Sequence, residues 1–200
     1  MVAATASLSL LAACGNERDN TYIENANAGV FVRLPLDWTV FPVEDGNPVA
    51  DPAVDLSFGP WRVLVDGATS PSRSHLEEAA PDEPVGFAFV TPLSGSDFVP
   101  SMATLRSLAT PDNSDPLDGS VPGLVVEEYD EIDLGHAWGN RITAEVPQPG
   151  GSLLKFTELA FVDDGSNRIT VFMLGCSTTC FDDHADEIRD SISSFTLEER

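Results

Sequence analysis

The sequence predicts an α+β fold, with a mainly antiparallel central sheet flanked by helices. Three observations carry this prediction. Short apolar runs, some alternating and some continuous, recur along the chain between turn-forming segments. The clearest helical periodicity comes last, after the strands, and there is no alternating βαβ rhythm or internal repeat. Hydrophobic residues make up 42% of the 200 residues, enough for one ordinary core and at most one domain with a tail.

In chain order, Val30, Val32 and Leu34 alternate as a strand should, and Pro35 stops that strand before a turn at Leu36-Asp37. Trp38–Phe41 begins a second strand, residues 44–58 are loop, and Trp61–Val65 is a third strand ended by Asp66-Gly67. Ala68 to Pro84 reads as irregular, with one helical turn around His75–Ala79. Val85–Val90 is nearly all apolar, the pattern of a strand covered on both faces. Phe98–Leu108 is a short helix with Met102, Leu105 and Leu108 on one side, followed by a turn-forming loop. Leu124–Tyr129, Trp138–Val146, Leu153–Val162 and Arg168–Leu174 are successive strands, the last two joined by the hairpin loop Asp163–Asn167. The strand containing Ile169–Leu174 is apolar on both faces and should be central. Phe181, His184/Ala185, Ile188, Ile192 and Phe195 then recur at helical spacing, with Thr179 as cap and Asp182, Asp183, Asp186, Glu187 and Asp190 on the other side.

Ten Lys+Arg against 33 Asp+Glu give a formal charge of −23 and a pI near 4.1. No basic surface is available to displace phosphate counterions, which argues against nucleic-acid binding and against docking on anionic lipid. The acids fall in loops, on the outer side of the last helix and along one strand. Such a coat suits a domain that stands off an anionic envelope, and a high-salt habitat.

Residues 1–13 are uncharged and apolar or small, too few to span a bilayer, and read as the hydrophobic part of a signal peptide. No Lys or Arg precedes Cys14, so either a translation start upstream of Met1 or an atypical n-region is expected, the former being favoured. Leu11-Ala12-Ala13-Cys14 resembles the lipobox of bacterial lipoprotein precursors, where small side chains precede a cysteine presented at the membrane face. By that resemblance Cys14 carries a thioether-linked diacylglycerol and becomes the mature N-terminus. Each buried methylene then adds about 0.8 kcal/mol of attachment. Polar residues 14–27 form a tether, and residues 28–200 form a single globular domain.

The opening Leu34-Pro35-Leu36-Asp37-Trp38 after a strand, and the ending Ile192-Ser193-Ser194-Phe195 of a closing helix, resemble PsbP-like domains. These also occur as actinobacterial surface lipoproteins. The resemblance spans roughly residues 21–197 in architecture and only these two patches in motif. It implies an α/β/α sandwich, and binding or assembly factors with no shared catalytic constellation.

With Cys14 assigned to lipid, Cys176 and Cys180 are left to pair in an oxidising compartment. The closed loop is so short that the entropic gain is about 2 kcal/mol, and the bond's main effect is on how the helix leaves the sheet. Zinc on Cys176, Cys180 and His184, with Asp183 or another fourth ligand, is the alternative. His184 reads as a partly buried packing residue, while His136 opens a strand and His75 lies in a loop. There is no Gly-x-Ser-x-Gly elbow, His-Glu-x-x-His motif, Walker loop or dinucleotide fingerprint. Glu127–Asp133 carries five carboxylates, and Asp112–Asp115 with Asp118-Gly119, like Asp163–Asn167, has oxygen-ligand chemistry suited to calcium; a solvated acidic surface is the plainer reading.

These readings converge on an exported, lipid-anchored cell-envelope protein at the extracytoplasmic face of the membrane. It is expected to be a non-catalytic binding or assembly module without a cofactor or metal, held by its lipid and engaging an envelope protein or ligand, not nucleic acid. Two alternatives remain: an envelope hydrolase of glycan or peptide using Glu127 and Glu145 across neighbouring strands, and a small-ligand carrier with a pocket lined by Trp38, Trp61 and Trp138.

Overall fold

The computed structural model describes residues 20–43, 61–93, 100–110, 114–165 and 168–199. The leader, Cys14, the loop at 44–58, Phe98, Asp112, Asn113, Ser166 and Asn167 lie outside the described residues.

Seven strands form one antiparallel sheet. They are β3 (Thr39–Pro42), β4 (Trp61–Asp66), β5 (Val85–Pro92), β6 (Val125–Asp133), β7 (Ala137–Pro147), β8 (Leu153–Asp163) and β9 (Arg168–Ser177), arranged in the order β3-β4-β5-β9-β8-β7-β6. The expected central position of β9 is met, since it lies fourth of the seven. Side chains from Phe156 to Val162 are buried on both faces of β8, and the same holds for Ile169 to Phe172 on β9, so both faces need a covering layer.

On one face that layer is α2 (Thr178–Asp183), α3 (Ala185–Ser193) and a small second sheet. On the other it includes the short helix α1 (Met102–Arg106), whose Leu105 is fully buried against Ala160, Val162 and Val171. The central sheet flanked by helices is therefore as expected. The small sheet comprises β1 (Asn20–Asn25), β2 (Val30–Pro35) and β10 (Thr196–Leu197), with β2 in the middle.

Four boundaries differ from the sequence reading. Residues 20–25, expected to belong to the tether, form β1 and pair along the whole of β2. Only Ile23 of that strand enters the core, at 2% exposure, so its five other residues make it look like a polar linker. The predicted helix from Phe98 is described as α1 followed by a 3-10 turn at Ser107–Ala109. The C-terminal helix is broken at His184 into α2 and α3, and its cap is Ser177, not Thr179: the Ser177 Oγ accepts from the Cys180 N–H. The chain then adds β10, which docks on β2 antiparallel.

The disulfide Cys176–Cys180 joins the end of β9 to α2, both residues being buried. At the other end of α3, Phe195 stacks on Phe161 and Phe172, with ring centroids 5.5 and 6.1 Å apart. The helix is thus fixed to the sheet at both ends. Ile23→Ala should lower stability by about 2–4 kcal/mol, seen as a lower urea midpoint with an unchanged slope. A midpoint equal to that of the parent would mean the segment is the tether after all.

Candidate binding groove beside the C-terminal helix

A groove opens where α3 and β10 leave the β6–β8 end of the sheet incompletely covered. Its apolar half is a cavity of about 300 Å³ walled by Ile132, Leu159, Phe161, Ile192, Phe195 and Leu197, with Leu134 on the rim. Strand register explains the lining. Ile132 of β6 lies opposite Gly139 of β7, which lies opposite Phe161 of β8, so the three point to the same face. Gly139 is required there: a Cβ would sit 2.0 Å from the Ala160 carbonyl oxygen and 2.7 Å from the Phe161 ring. Its absence lets that ring lie flat against the sheet.

The polar half is a cavity of about 210 Å³ that shares Arg141, Ile192 and Ser193 with the first. On its floor the Thr143 and Thr157 hydroxyls are buried and 2.9 Å apart. Lys155 Nζ bridges Glu127 at 3.0 Å and Asp182 at 3.2 Å, and lies over the Phe181 ring. Burial works to lower the pKa of this ammonium, but the two carboxylates outweigh it and hold the pKa above the usual lysine value. Arg141 binds Asp130 at 2.5 Å, with Glu128 at 4.0 Å, while its Nε is buried and has no partner. Arg189 pairs with Asp186.

Glu127 and Glu145 do fall on this side of the sheet, with Lys155 between them. Glu145 is the cross-strand partner of Lys155, but its carboxylate accepts from the Thr178 hydroxyl at 2.8 Å while Glu127 takes the ammonium. Each carboxylate has a donor of its own, and the arrangement joins β6 and β7 to α2. The three-tryptophan pocket is not formed. Trp38 and Trp61 belong to the core on the face covered by α3 and the small sheet, whereas Trp138 packs on the opposite face near Leu105. The reason is register: Trp138 precedes Gly139 on β7 and so points the other way.

The histidines serve separate segments. His75 Nδ1 meets the fully buried Asp66 carboxylate at 2.8 Å, and the same carboxylate accepts from the Ala68 and Ser72 N–H groups, ordering the loop after β4. His136 Nε2 donates to the Leu197 carbonyl at 2.9 Å and so holds β10. His184 is not on the apolar side of the helix; it sits at the α2–α3 junction with Glu187 at 2.6 Å and Glu83 at 3.9 Å.

Both thiols proposed as the zinc alternative are spent in the disulfide. Among the described residues, no three His, Cys, Asp or Glu side chains gather for an ion. Asp115, from one candidate calcium loop, is held bidentately by Arg106 at 2.6 and 2.9 Å. That guanidinium holds the Asp115 carboxyl below its usual range and in turn has its own pKa raised. Arg106 also donates to the Tyr129 hydroxyl, tying α1 to β6, and burial raises the pKa of that phenol.

Two residues on the α1 face escape sequence reasoning. Glu158 and Asn140 are fully buried and both side chains lack partners. Asn140 lies opposite Ala160 and Glu158 opposite Ile142, so the two are diagonal neighbours. A sequence cue exists for each, as a lone polar residue among Leu154, Phe156, Ala160 and Val162 on β8, or among Trp138, Ile142, Ala144 and Val146 on β7. Burial pushes the Glu158 carboxyl well above its ordinary value, favouring the protonated form.

Among solved structures, the chain is similar to the cyanobacterial PsbP of Synechocystis, with a TM-score of 0.53 at 12% identity over 94% of this chain and 99% of that one. It is also similar to LpqN, a protein of Mycobacterium tuberculosis involved in cell envelope biogenesis, with a TM-score of 0.48 at 17% identity over 88% of this chain and 86% of that one. A third is the Ran-binding protein Mog1p of Saccharomyces cerevisiae, with a TM-score of 0.46 at 7% identity over 90% and 96% of the two chains. No family model and no curated protein matches the chain. At these identities the likeness is one of fold, and the first shows the PsbP-like α+β architecture implied by Leu34–Trp38 and Ile192–Phe195.

The raised pKa of Glu158 has a definite sign in stability. The proton is bound more tightly in the folded state, so the contribution is complete below the unfolded value near 4.5 and is lost as pH rises toward and through the folded value. Glu158→Gln keeps the shape without the ionisation. Its unfolding free energy relative to the parent should therefore improve steadily as pH rises above 4.5, and an offset that stays constant to pH 8 would contradict a buried protonated acid.

Proposed function

We propose that this chain is an exported, lipid-anchored, non-catalytic binding module of a bacterial cell envelope, and that the groove beside α3 is its binding surface. The observation that carries the reading is the apolar cavity of about 300 Å³, open to solvent yet walled by side chains fixed by packing. Its floor belongs to long paired strands, and its upper wall is α3, which follows the disulfide-bonded α2 and is succeeded by the stacked Phe195. A site of that construction is pre-organised, so little ordering opposes binding.

Three further features support the location. Leu11-Ala12-Ala13-Cys14 has the residue types that lipidation and leader cleavage need. The Cys176–Cys180 bond belongs to an oxidising compartment such as the outer side of a bacterial membrane. The PsbP-like fold accords with a binding or assembly role, since its site here is a groove between layers.

Cell fractionation tests the anchor. The parent should sediment with membranes and Cys14→Ala should move to the soluble fraction, whereas membrane retention of the variant removes the lipid assignment. For the binding surface, a photo-crosslinking residue placed at Leu134 in intact cells should give a discrete adduct. The same residue at Leu117, which is also exposed but borders no part of the groove, should not. Equal adducts at both positions would place binding elsewhere.

A further inference from the structure

We propose that the groove takes a cationic, extended segment of a partner protein, which pairs with the free edge of β6 as an added strand and inserts one apolar side chain into the cavity. This rests on the groove being the binding surface and names its occupant.

Three observations meet at the same place. First, β6 is nine residues long and is the outermost strand of the large sheet among the described residues, so one side of its backbone faces outward. The edge at the other end, β3, has only four residues and closes on Pro42. Register with β7 shifts between Val126 and Glu128, which leaves Glu128–Asp133 as an uninterrupted stretch for pairing. An unpaired strand of this length is a template for main-chain hydrogen bonds.

Second, the apolar cavity opens against this strand. Ile132 of β6 is one of its walls and Leu134, 40% exposed, is its rim. A strand laid beside β6 would carry side chains on the Ile132 face at every second position, and one of them would lean over the cavity.

Third, the charge selects the occupant. Glu128 and Asp130 share the face of Ile132, while Glu131 and Asp133 point to the other face. An incoming strand that sends its apolar side chain to the Ile132 face places its alternate lysines or arginines on the other face, beside Glu131 and Asp133. A charged edge also guards against self-association. With −23 on each copy, a second chain of this protein is repelled from the edge by the charges that attract a cationic segment.

The test uses the mature protein and a blocked peptide alternating lysine with leucine. The control is the same peptide N-methylated at alternate residues, in both phasings, which keeps every charge and side chain but loses one row of hydrogen bonds. Hydrogen exchange of the β6 amides that do not bond to β7 should slow by about tenfold or more at saturating peptide. One N-methylated phasing should bind about tenfold more weakly. Leu134→Ser, at a partly exposed rim position, should weaken binding severalfold while leaving the urea midpoint near that of the parent, and added salt should weaken binding further. Equal binding of all three peptides, or exchange unchanged along β6, overturns the proposal as nonspecific attraction. If the peptides leave β6 unprotected while octyl glucoside below its micelle threshold shifts the resonances of Ile132, Leu159 and Phe161, the cavity keeps its binding role. In that case an amphiphile, not a peptide, is its occupant, and only the present inference fails.

Discussion

The rest of the structure depends on the burial of β8 and β9 on both faces. Antiparallel sheets commonly leave one side to water, and alternation along each strand then records which side that is. Here Phe156, Leu159, Phe161, Phe172 and Leu174 point to both sides of adjacent strands and all are buried, so neither side can face solvent. Each side therefore needs a layer, and the described residues contain little helix to supply one. The chain covers one side with α3, α2 and the small β1-β2-β10 sheet, and α1 contributes to the other. Among the described residues these elements leave the β6 end of the sheet partly uncovered, and the groove lies there.

The same constraint explains why the helix is fastened so firmly. A short helix gains little from its own propensity and is held by tertiary contacts. Cys176–Cys180 sets where α2 leaves β9, Lys155 ties Asp182 of α2 to Glu127 of the edge strand, and Phe195 closes the far end against two rings of the sheet. His136 then holds the Leu197 carbonyl so that β10 can complete the small sheet. Cover and groove are thereby set by one group of contacts.

How much of this was legible in the sequence depends on how local each feature is. The strands with apolar alternation or continuity were read close to their true bounds, and the centrality of Ile169–Leu174 was visible because both of its faces are apolar. Strand β1 was not, since a strand that sends only Ile23 into the core has the composition of a linker. The break at His184 was hidden because the apolar spacing runs on through it; only the local geometry distinguishes a cap from a helical residue there. The groove has no local signature. Ile132, Leu159, Ile192 and Leu197 come from four elements, and they meet only once register and helix position are fixed. The tryptophan pocket failed for the same reason, because a period of two sends Trp138 away from Trp38 and Trp61. Glu158 and Asn140 escape the sequence reading although each is a lone polar residue in apolar company, because their full burial without a partner is a tertiary fact.

The charge of −23 gains a finer meaning once the cations are located. Of ten lysines and arginines, Arg141, Lys155 and Arg189 all line the groove, which at first suggests a site for an anion. Their partners argue otherwise. Lys155 holds two carboxylates, Arg141 holds Asp130 with Glu128 nearby, and Arg189 holds Asp186. An anionic ligand would have to displace these carboxylates and would leave them beside it, in a field already negative. The cations instead pair with acids along the polar half of the groove, beside the apolar cavity that shares Arg141 with it. The negative field disfavours polyanions and further copies of the chain near this surface and opposes a neutral or cationic group less.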